Sequence, residues 1–152
     1  MAFCVIDSPV GRLHITEEQN AIIGIAFVSE DVCPPGTPLL RHCAAQLREY
    51  FNHERTVFDV PLHFASGTAF QRSVWEAMQH IPYGEVRTYG QLSKIIGRPN
   101  AVRAVGGACH VNPIAIIVPC HRVVGANGLT GYAGGLDKKE ILLSLEHALQ
   151  EK

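Results

Sequence analysis

The stretch Thr88–His110, TYGQLSKIIGRPNAVRAVGGACH, decides the fold class of the second half of this chain of 152 residues. It opens with Thr88-Tyr89-Gly90-Gln91, a capping-box pattern in which the threonine and glutamine side chains bond free backbone groups at a helix start. Gly97 ends this helix, and Pro99-Asn100 begins a second one that runs from Ala101 to about His110. Two short helices joined by a tight turn predict a helix-turn-helix.

A glycine pair lies in the interior of the second of these helices. Gly106 and Gly107 each cost about 1 kcal/mol of helix stability relative to alanine. Two explanations remain open, namely tight packing against another helix and close approach of the helix backbone to a nucleic acid. Arg103 lies one turn before the pair, where a positive charge suits the second explanation.

The first third of the chain has the pattern of strands. Short runs rich in β-branched and aromatic residues occupy residues 3–6, 12–16 and 22–28, with turn residues between them. Thr37 then precedes Pro38, a pair typical of a helix N-terminus, and apolar residues follow at helical spacing. This part of the chain therefore predicts a small sheet covered by one helix.

These patterns together predict an α+β fold with two lobes. Residues 1–64 form the small N-terminal sheet lobe with its covering helix, which supports the fold. Residues 65–152 form a mainly helical lobe that contains the helix-turn-helix and the reactive residues described next. Within this lobe, a capping box at Asp137 and Glu140 predicts the start of the last helix.

Composition excludes several classes of protein. The chain has 47% hydrophobic and 18% charged residues, an ordinary globular balance. No apolar run approaches the roughly 20 residues of a membrane helix, and we expect neither a membrane span nor a secretion signal. Five cysteines, an odd number, favour reduced thiols over a disulfide scaffold.

The net charge is −1, yet residues 65–136 carry six basic and two acidic residues, which hints at nucleic acid binding.

The sequence Pro119-Cys120-His121 carries a candidate nucleophile. The apolar run Ile114–Val118 predicts a buried strand, and Cys120 follows its end. A free thiol is only a few per cent thiolate at neutral pH, so a neighbouring base such as His121 is needed to take its proton. Glu146, on a helix otherwise lined by leucines, could orient that imidazole and complete a triad.

Other interpretations of these residues stay open at this point. Cys120 could be a small buried core residue, and Cys120 with His121 could serve acyl transfer in a cysteine hydrolase. The pairs Cys109-His110 and Cys120-His121 lie eleven residues apart, which does not match zinc-ligand spacing. A DNA-binding or lesion-signalling module without chemistry is a further alternative.

From Pro119-Cys120-His121-Arg122-Val123 outward, the chain resembles the O6-alkylguanine-DNA alkyltransferases, the direct-reversal DNA repair proteins. The resemblance covers nearly all of residues 68–147, in order and with family-like spacing. It is weak in the N-terminal lobe, chiefly Ser8–Leu13. The other matching motifs are IPYGEV (81–86), TYGQL (88–92), RAVGGA (103–108), Asn112-Pro113, GYAGG (131–135), Lys139-Glu140, Leu142-Leu143 and Glu146.

This resemblance implies a mechanism. Cys120 would accept the alkyl group from O6 of guanine in an irreversible, single-turnover transfer, with O4 of thymine left open as a second substrate. His121 would act as base through a water, and Glu146 would orient it. Tyr89 would supply the proton that the displaced guanine needs. Asn112 would be the hinge between helix and active-site segment, and Arg122, paired with a carboxylate, would be structural.

The resemblance also implies how DNA is bound. The second helix would enter the minor groove, and Arg103 would occupy the stack when the damaged base is flipped out. The glycine pair would then let the helix backbone approach phosphates. The residues expected at DNA are Thr88, Tyr89, Ala101, Val102, Arg103, Ala104, Gly106 and Gly107, and those expected to wall the base pocket are Val123, Tyr132, Ala133 and Gly134.

The remaining expectations concern cofactors, partners and location. Some family members hold a structural zinc in the N-terminal lobe; Cys4 and His63 fall near such positions, but Glu17 stands where a second cysteine is needed. We therefore expect no cofactor and no metal. The expected partner is double-stranded DNA containing O6-alkylguanine, bound by a monomer with no membrane association. We expect a cytoplasmic location, at the nucleoid when DNA is bound, or a nuclear one in a eukaryote. The role of Cys109 stays open, and a second, adventitious thiol near DNA is one alternative.

Overall fold

The computed structural model of the chain describes residues 1–126, 132 and 135–146. It divides into two compact units, residues 1–65 and 66–152. The α+β prediction is confirmed: a small antiparallel sheet lies in the first unit, and the second is mainly helical. The elements of the first unit are β1 (Ala2–Ile6), β2 (Arg12–Glu18), β3 (Ala21–Val28) and α1 (Pro38–Phe51). Those of the second unit are α2 (Ala69–Met78), β4 (Arg87–Thr88), α3 (Tyr89–Ile95), α4 (Val102–His110), β5 (Val123–Val124) and α5 (Leu136–Leu145).

The sheet of the first unit runs in the order β1-β2-β3 with antiparallel pairing throughout. Gln19 and Asn20 join β2 to β3, and both have a positive φ (53° and 65°). A tight two-residue hairpin connection demands that conformation, which asparagine tolerates well. The helix α1 begins as its sequence predicts, since the Thr37 side chain accepts a hydrogen bond from the Leu40 amide at 3.1 Å.

The core of the first unit lies between the sheet and α1. Side chains from alternate strand positions and from one face of the helix are almost completely buried there. At roughly 25 cal/mol per Å² of apolar surface removed from water, burial of this kind stabilises the unit. The residues concerned are Cys4, Leu13, Ile15, Ile22, Ile25, Leu40, Cys43, Leu47 and Tyr50.

The helix-turn-helix of the second unit is α3 followed by α4. Thr88 and Gln91 form the predicted capping box at the start of α3, with bonds of 2.8 and 3.0 Å. Gly97, with φ 77°, ends the helix in a conformation that glycine adopts without strain. The Ser93 hydroxyl then donates to the Arg98 carbonyl and fixes the turn.

A buried tryptophan ties α4 to the helix before it. Trp75, on α2, donates its indole N–H to the carbonyl of Ala108 on α4 at 2.8 Å. The ring is 1% exposed, so this bond is shielded from water. The inner face of α4 is therefore anchored, and its other face is left for contacts outside the unit.

The start of the last helix differs from its prediction. Asp137 and Glu140 do not form a capping box, because α5 begins at Leu136 and its N-cap is Gly135, which has no capping side chain. The amides of Lys138 and Lys139 instead bond back to the Gly135 carbonyl at 3.1 and 3.2 Å. Gly135 has φ 106°, a conformation that sequence pattern alone did not reveal.

Candidate active site and exposed helix face

The segment that carries Cys120 is a series of tight turns. Ile114–Val118 was predicted as a buried strand, and this is wrong. Ile116 has φ 71°, and the Ile117 amide bonds the Ala115 carbonyl at 2.8 Å across it, which closes a γ-turn. A second γ-turn around Pro119 joins the Cys120 amide to the Val118 carbonyl at 2.9 Å, and one 3₁₀ turn then holds Cys120–Arg122. The chain therefore doubles back where an extended strand was expected.

Asn112 holds this segment in place with one side chain. Its Oδ1 accepts from the Ile114 amide at 3.0 Å, and its Nδ2 donates to the Val118 carbonyl at 2.8 Å. The same Nδ2 lies 3.2 Å from Sγ of Cys120 and donates to it. One amide thus fixes both ends of the turn segment and the reactive sulfur.

The sulfur of Cys120 lies in a nearly dry environment. The residue is 5% exposed, and this burial raises the pKa of the thiol above its ordinary value. Several groups act in the opposite direction because they stabilise the thiolate: the Asn112 amide, the positive charge of Lys139 and the hydroxyl of Tyr132. Burial therefore disfavours the thiolate of Cys120, whereas the two hydrogen-bond donors and the positive charge favour it.

The residues His121 and Glu146 form the predicted pair. His121 Nε2 donates to Glu146 Oε2 at 2.8 Å, with the imidazole completely buried. Burial lowers the pKa of His121 despite the nearby carboxylate, so the ring is neutral at pH 7. Its other nitrogen, Nδ1, is buried and bonds no atom in the described part of the chain. That nitrogen therefore keeps a lone pair that can accept a proton.

Arg122 holds the carboxylate that orients His121. Its Nε donates to Glu146 Oε1 at 2.8 Å, its Nη2 donates to Oε2 at 3.0 Å, and its Nη1 donates to the Ile81 carbonyl at 2.6 Å. Burial alone would raise the pKa of Glu146, but the hydrogen bonds from His121 and Arg122 outweigh it and lower that pKa to about 2. Glu146 is therefore ionised, and its charge is balanced by a bidentate partner.

The turn before β4 supports the same carboxylate from the backbone side. Tyr83 donates its hydroxyl to the Leu145 carbonyl at 3.4 Å. At Gly84 (φ 83°) a Cβ would come within 3.3 Å of the Glu146 carbonyl. The glycine thus permits the close approach that puts Glu146, the C-cap of α5, beside His121.

The outer face of α4 presents small residues and one cation. Arg103, Ala104 and Gly107 are exposed, as are Val102 and His110, whereas Val105 is buried. Arg103 makes no ion pair with any residue in the described ranges. No atom lies within 4 Å of where a Cβ of Gly107 would be, and at Gly106 the nearest is Tyr89 Cε1 at 4.0 Å. Helix packing therefore does not require this glycine pair.

A short parallel ladder links the helix-turn-helix to the cysteine segment. Arg87 of β4 pairs with Val123 of β5, and Thr88 pairs with Val124. Tyr89 follows directly as the first residue of α3, so its position is set by the same ladder. The ladder brings Tyr89 and the chain just after Cys120 into one part of the unit.

The structure places the other predicted site residues as follows. Val123 is completely buried, and the buried hydroxyl of Tyr132 acts on the thiol of Cys120, whose pKa it lowers. Ala101 is the N-cap of α4 and half-buried. Ala133 and Gly134 lie outside the described residues. Cys109 is 6% exposed with Sγ 3.6 Å from the Met78 sulfur, and burial raises its pKa to about 12, so this thiol lies on the buried side of α4.

Sequence reasoning missed one site residue. Lys139 is completely buried, and its charge acts on Cys120, Cys109 and His121. It stood in a matching motif without a role, because a lysine near a helix start is ordinarily a solvated residue. The signal that could have found it is its spacing of three and four residues from Leu142 and Leu143, which puts it on the buried face of the helix.

Within residues 1–126, 132 and 135–146, no group of three His, Cys, Asp or Glu side chains converges to hold a metal ion. Over those ranges, no helix combines the length and apolar character that crossing a membrane requires.

Two family descriptions match the chain. The 6-O-methylguanine DNA methyltransferase DNA binding domain matches residues 69–148, and the ribonuclease-like domain of the same family matches residues 1–64. The methylated-DNA–protein-cysteine methyltransferase of Methanosarcina acetivorans is 47% identical over 154 residues, covering 96% of this chain and 98% of the relative. That of Mycolicibacterium paratuberculosis is also 47% identical, covering 93% and 89%.

Solved structures agree with these sequence comparisons. The crystal structure of Mycobacterium tuberculosis O6-methylguanine methyltransferase has a TM-score of 0.87 and 43% identity, covering 98% of this chain and 94% of the other. A structure of Mycobacterium tuberculosis OGT in complex with DNA has a TM-score of 0.87 and 45% identity, covering 95% and 91%.

Proposed function

Because the chain belongs to the 6-O-methylguanine DNA methyltransferase family, we propose that it repairs DNA by direct reversal, with Cys120 as the methyl acceptor. The Sγ–CH₃ bond forms as the bond from O6 of guanine to the methyl carbon breaks. The thioether is not cleaved again, so each molecule reacts once. The observation that carries the assignment of Cys120 is its sulfur held by Asn112 at 3.2 Å beside the buried His121–Glu146 pair.

Proton transfer starts at the thiol. The Cys120 proton passes through a water to His121 Nδ1, which has the lone pair to receive it. The imidazolium that forms is stabilised by Glu146, which is already ionised and held by Arg122. Because Glu146 stays ionised throughout, it orients and stabilises the ring without itself taking a proton.

The departing guanine receives the electron pair of the broken bond and takes up a proton. Tyr89 supplies that proton and regains one from solvent. Its position at the first residue of α3, tied to β5 by the Thr88–Val124 pair, supports this role. Val123 and Tyr132 wall the pocket that receives the extruded base.

DNA is bound through the outer face of α4, which lies in the minor groove. Ala104 and Gly107 carry little or no side chain, so the phosphates and sugars of the DNA approach the backbone of α4 closely. Arg103 fills the gap left by the flipped base. Thr88, Ala101, Val102 and Gly106 complete the contact. The structure of the Mycobacterium tuberculosis relative in complex with DNA supports DNA as the partner, and we propose the double-stranded form. The protein acts as a monomer where the DNA is, in the cytoplasm or, in a eukaryote, the nucleus.

Intact-mass measurement tests this function. The protein is incubated with excess duplex DNA containing O6-methylguanine, and the mass is expected to rise by one methyl group and then stop. Cys109 and Cys120 share one tryptic peptide, residues 104–122, so fragmentation must assign the methyl to Cys120. Cys120→Ala is expected to gain no methyl while still binding DNA, and Cys109→Ala to gain it normally.

Other outcomes would decide against the proposal. Turnover beyond one equivalent of substrate per protein would identify a multiple-turnover enzyme such as a cysteine hydrolase. DNA binding with no mass gain would identify a lesion-binding module. A methyl group found on Cys109 would overturn the assignment of the acceptor.

A further inference from the structure

Tyr83 is a half-buried tyrosine that the mechanism above does not use. The guanidinium carbon of Arg122 lies over its ring, 5.8 Å from the ring centre, which is within the range of a cation–π contact. Its hydroxyl donates to the carbonyl of Leu145, the last residue of α5, at 3.4 Å. One side chain therefore contacts Arg122 with its ring and the residue before Glu146 with its hydroxyl.

The hydrogen bonds of Arg122 leave the faces of its guanidinium group unrestrained. Nε and Nη2 donate to Glu146, and Nη1 donates to the Ile81 carbonyl. Because N–H groups of a guanidinium point outward in its plane, these bonds fix the group within that plane only. The ring of Tyr83 covers the group from outside the plane. Since Arg122 is 7% exposed, little water competes with this attraction.

The charges of Arg122 and Glu146 both act on the Tyr83 hydroxyl. Burial raises the pKa of Tyr83 above its ordinary value, the negative charge of Glu146 raises it further, and the positive charge of Arg122 lowers it. The phenol is therefore neutral at pH 7 and keeps the proton with which it bonds Leu145. The other titratable groups that act on this cluster are His121, Tyr132 and Lys139.

A single carboxylate oxygen connects Arg122 to the proposed base. Oε2 of Glu146 accepts from Arg122 Nη2 at 3.0 Å and from His121 Nε2 at 2.8 Å. A displacement of the guanidinium group therefore moves the oxygen that orients His121. The imidazolium that forms when His121 takes a proton depends on this oxygen for its stabilisation.

We propose that Tyr83 is a positioning residue for the transfer, whose ring holds the guanidinium group of Arg122 so that the shared oxygen of Glu146 stays on His121. This inference rests on the proposed function. Tyr83 exchanges no proton during the reaction, since the proton that His121 receives comes from Cys120. Without the ring, the imidazolium is less well stabilised, so the thiolate forms less readily and the reaction needs a higher pH.

The first experiment compares Tyr83→Leu and Tyr83→Phe with the wild type in the reaction with free O6-benzylguanine, followed against pH. We expect Tyr83→Leu to react about fivefold more slowly at pH 7, with the midpoint of its profile raised by about 0.7 pH unit. Tyr83→Phe keeps the ring and should recover most of the rate. A midpoint for Tyr83→Leu equal to that of the wild type would overturn the inference.

Phe70→Leu is the matched control, because it removes another half-buried ring of the same unit, on α2. Urea denaturation reports the loss of stability in both leucine variants. A ring that only supports the fold would lower stability without moving the pH profile, which is the result expected for Phe70→Leu. A shift of the midpoint in Phe70→Leu as large as in Tyr83→Leu would contradict the role of Tyr83.

A second pair of variants covers the case in which Tyr83→Leu fails to fold. Position 83 is replaced by phenylalanine or by 3,4,5-trifluorophenylalanine, which have nearly the same shape. Fluorine withdraws electrons from the face of the ring and so weakens its attraction for a cation. We expect the trifluorinated protein to react roughly threefold more slowly at pH 7 than Tyr83→Phe, with a higher midpoint. Identical profiles for the two proteins would contradict the inference.

The two proposals fail in different ways. If the wild type gains no alkyl group from O6-methylguanine DNA or O6-benzylguanine, the proposed function is wrong. Exchange of the His121 Nε2 proton with water, measured by NMR, then still tests the contact: it should be faster in Tyr83→Leu than in Phe70→Leu, and equal rates would overturn it. If alkyl groups are gained with the same pH profile in all variants, the function stands and the role of Tyr83 does not.

Discussion

The side-chain amide of Asn112 lies 3.2 Å from the sulfur of Cys120, although eight residues separate them in the chain. The same nitrogen donates to the Val118 carbonyl at 2.8 Å, so position and charge of the sulfur depend on one group. A donor to the thiolate lowers the pKa of Cys120, against the effect of burial. The hinge expected from sequence is thus also a direct hydrogen-bond donor to the sulfur.

Asn112→Ala removes that donor and unties the turn segment. We expect reaction with free O6-benzylguanine at pH 7 to slow by about tenfold or more, with the pH profile displaced to higher pH, and stability to fall by about 1–3 kcal/mol. Stopped-flow kinetics and urea denaturation measure the two effects. Asn52→Ala, at an exposed helix C-cap, is the matched control and should change neither. An unaltered pH profile in Asn112→Ala would show that the 3.2 Å contact does not act on the sulfur.

Glu146→Gln tests the buried carboxylate through pH. The pKa of Glu146 is about 2 in the folded protein against an ordinary 4.5, so its ionisation stabilises the fold above pH 4.5, and this contribution is lost as pH falls toward 2. The difference corresponds to about 3 kcal/mol at pH 7. Measured by urea denaturation at pH 7, the free energy of unfolding should be larger for the wild type than for the variant. This difference in stability should narrow between pH 4.5 and 3. A gap that stays constant with pH would refute the assignment.

Arg103→Ala separates base extrusion from chemistry. Arg103 is exposed on α4 and takes no part in the hydrogen bonds described around Cys120, so the reaction of free O6-benzylguanine should be nearly unchanged. Repair of O6-methylguanine in duplex DNA should slow by at least tenfold, because the gap left by the flipped base is no longer filled. Single-turnover rates on both substrates give the comparison, with Arg72→Ala as the control for loss of one exposed charge. Equal losses on both substrates would exclude a role in flipping.

Gly107→Ala is expected to separate folding from DNA binding. The exposed position has no atom within 4 Å of a new Cβ, and alanine is the better helix former by about 1 kcal/mol, so the variant should be more stable in urea. Its affinity for duplex DNA should fall several-fold, because the added methyl stands on the face that approaches the backbone. Fluorescence anisotropy measures the affinity, and O6-benzylguanine reactivity should be unchanged. Wild-type affinity would place Gly107 away from the DNA.

The sequence predicted the helices and strands whose signals are local. The capping residues Thr37 and Thr88 act through the next three residues, and each forms the predicted bond. The turn segment before Cys120 could not be predicted in this way. An apolar run has the same pattern in a buried strand as in buried turns, and here the side chain of Asn112 selects the turns.

For the site as well, part was predicted from the sequence and part was not. The contact between His121 and Glu146 was expected, and the structure brings the two together at 2.8 Å. The effects of Lys139 and the Tyr132 hydroxyl on the pKa of Cys120 were not predicted, since they depend on where these two side chains lie in the folded chain. Contacts between polar atoms that are distant in the chain cannot be recognised from the pattern of neighbouring residues.

The left-handed backbone at Ile116 restricts how this protein can be re-engineered. A β-branched residue with φ 71° costs on the order of 1–3 kcal/mol, and burial of its side chain offsets that strain. Glycine there would relieve the strain but forfeit the buried side chain, and any other large residue would keep the strain while disturbing the fit. Libraries of variants should therefore hold position 116 constant and diversify the half-buried Ile117 that follows it in the chain.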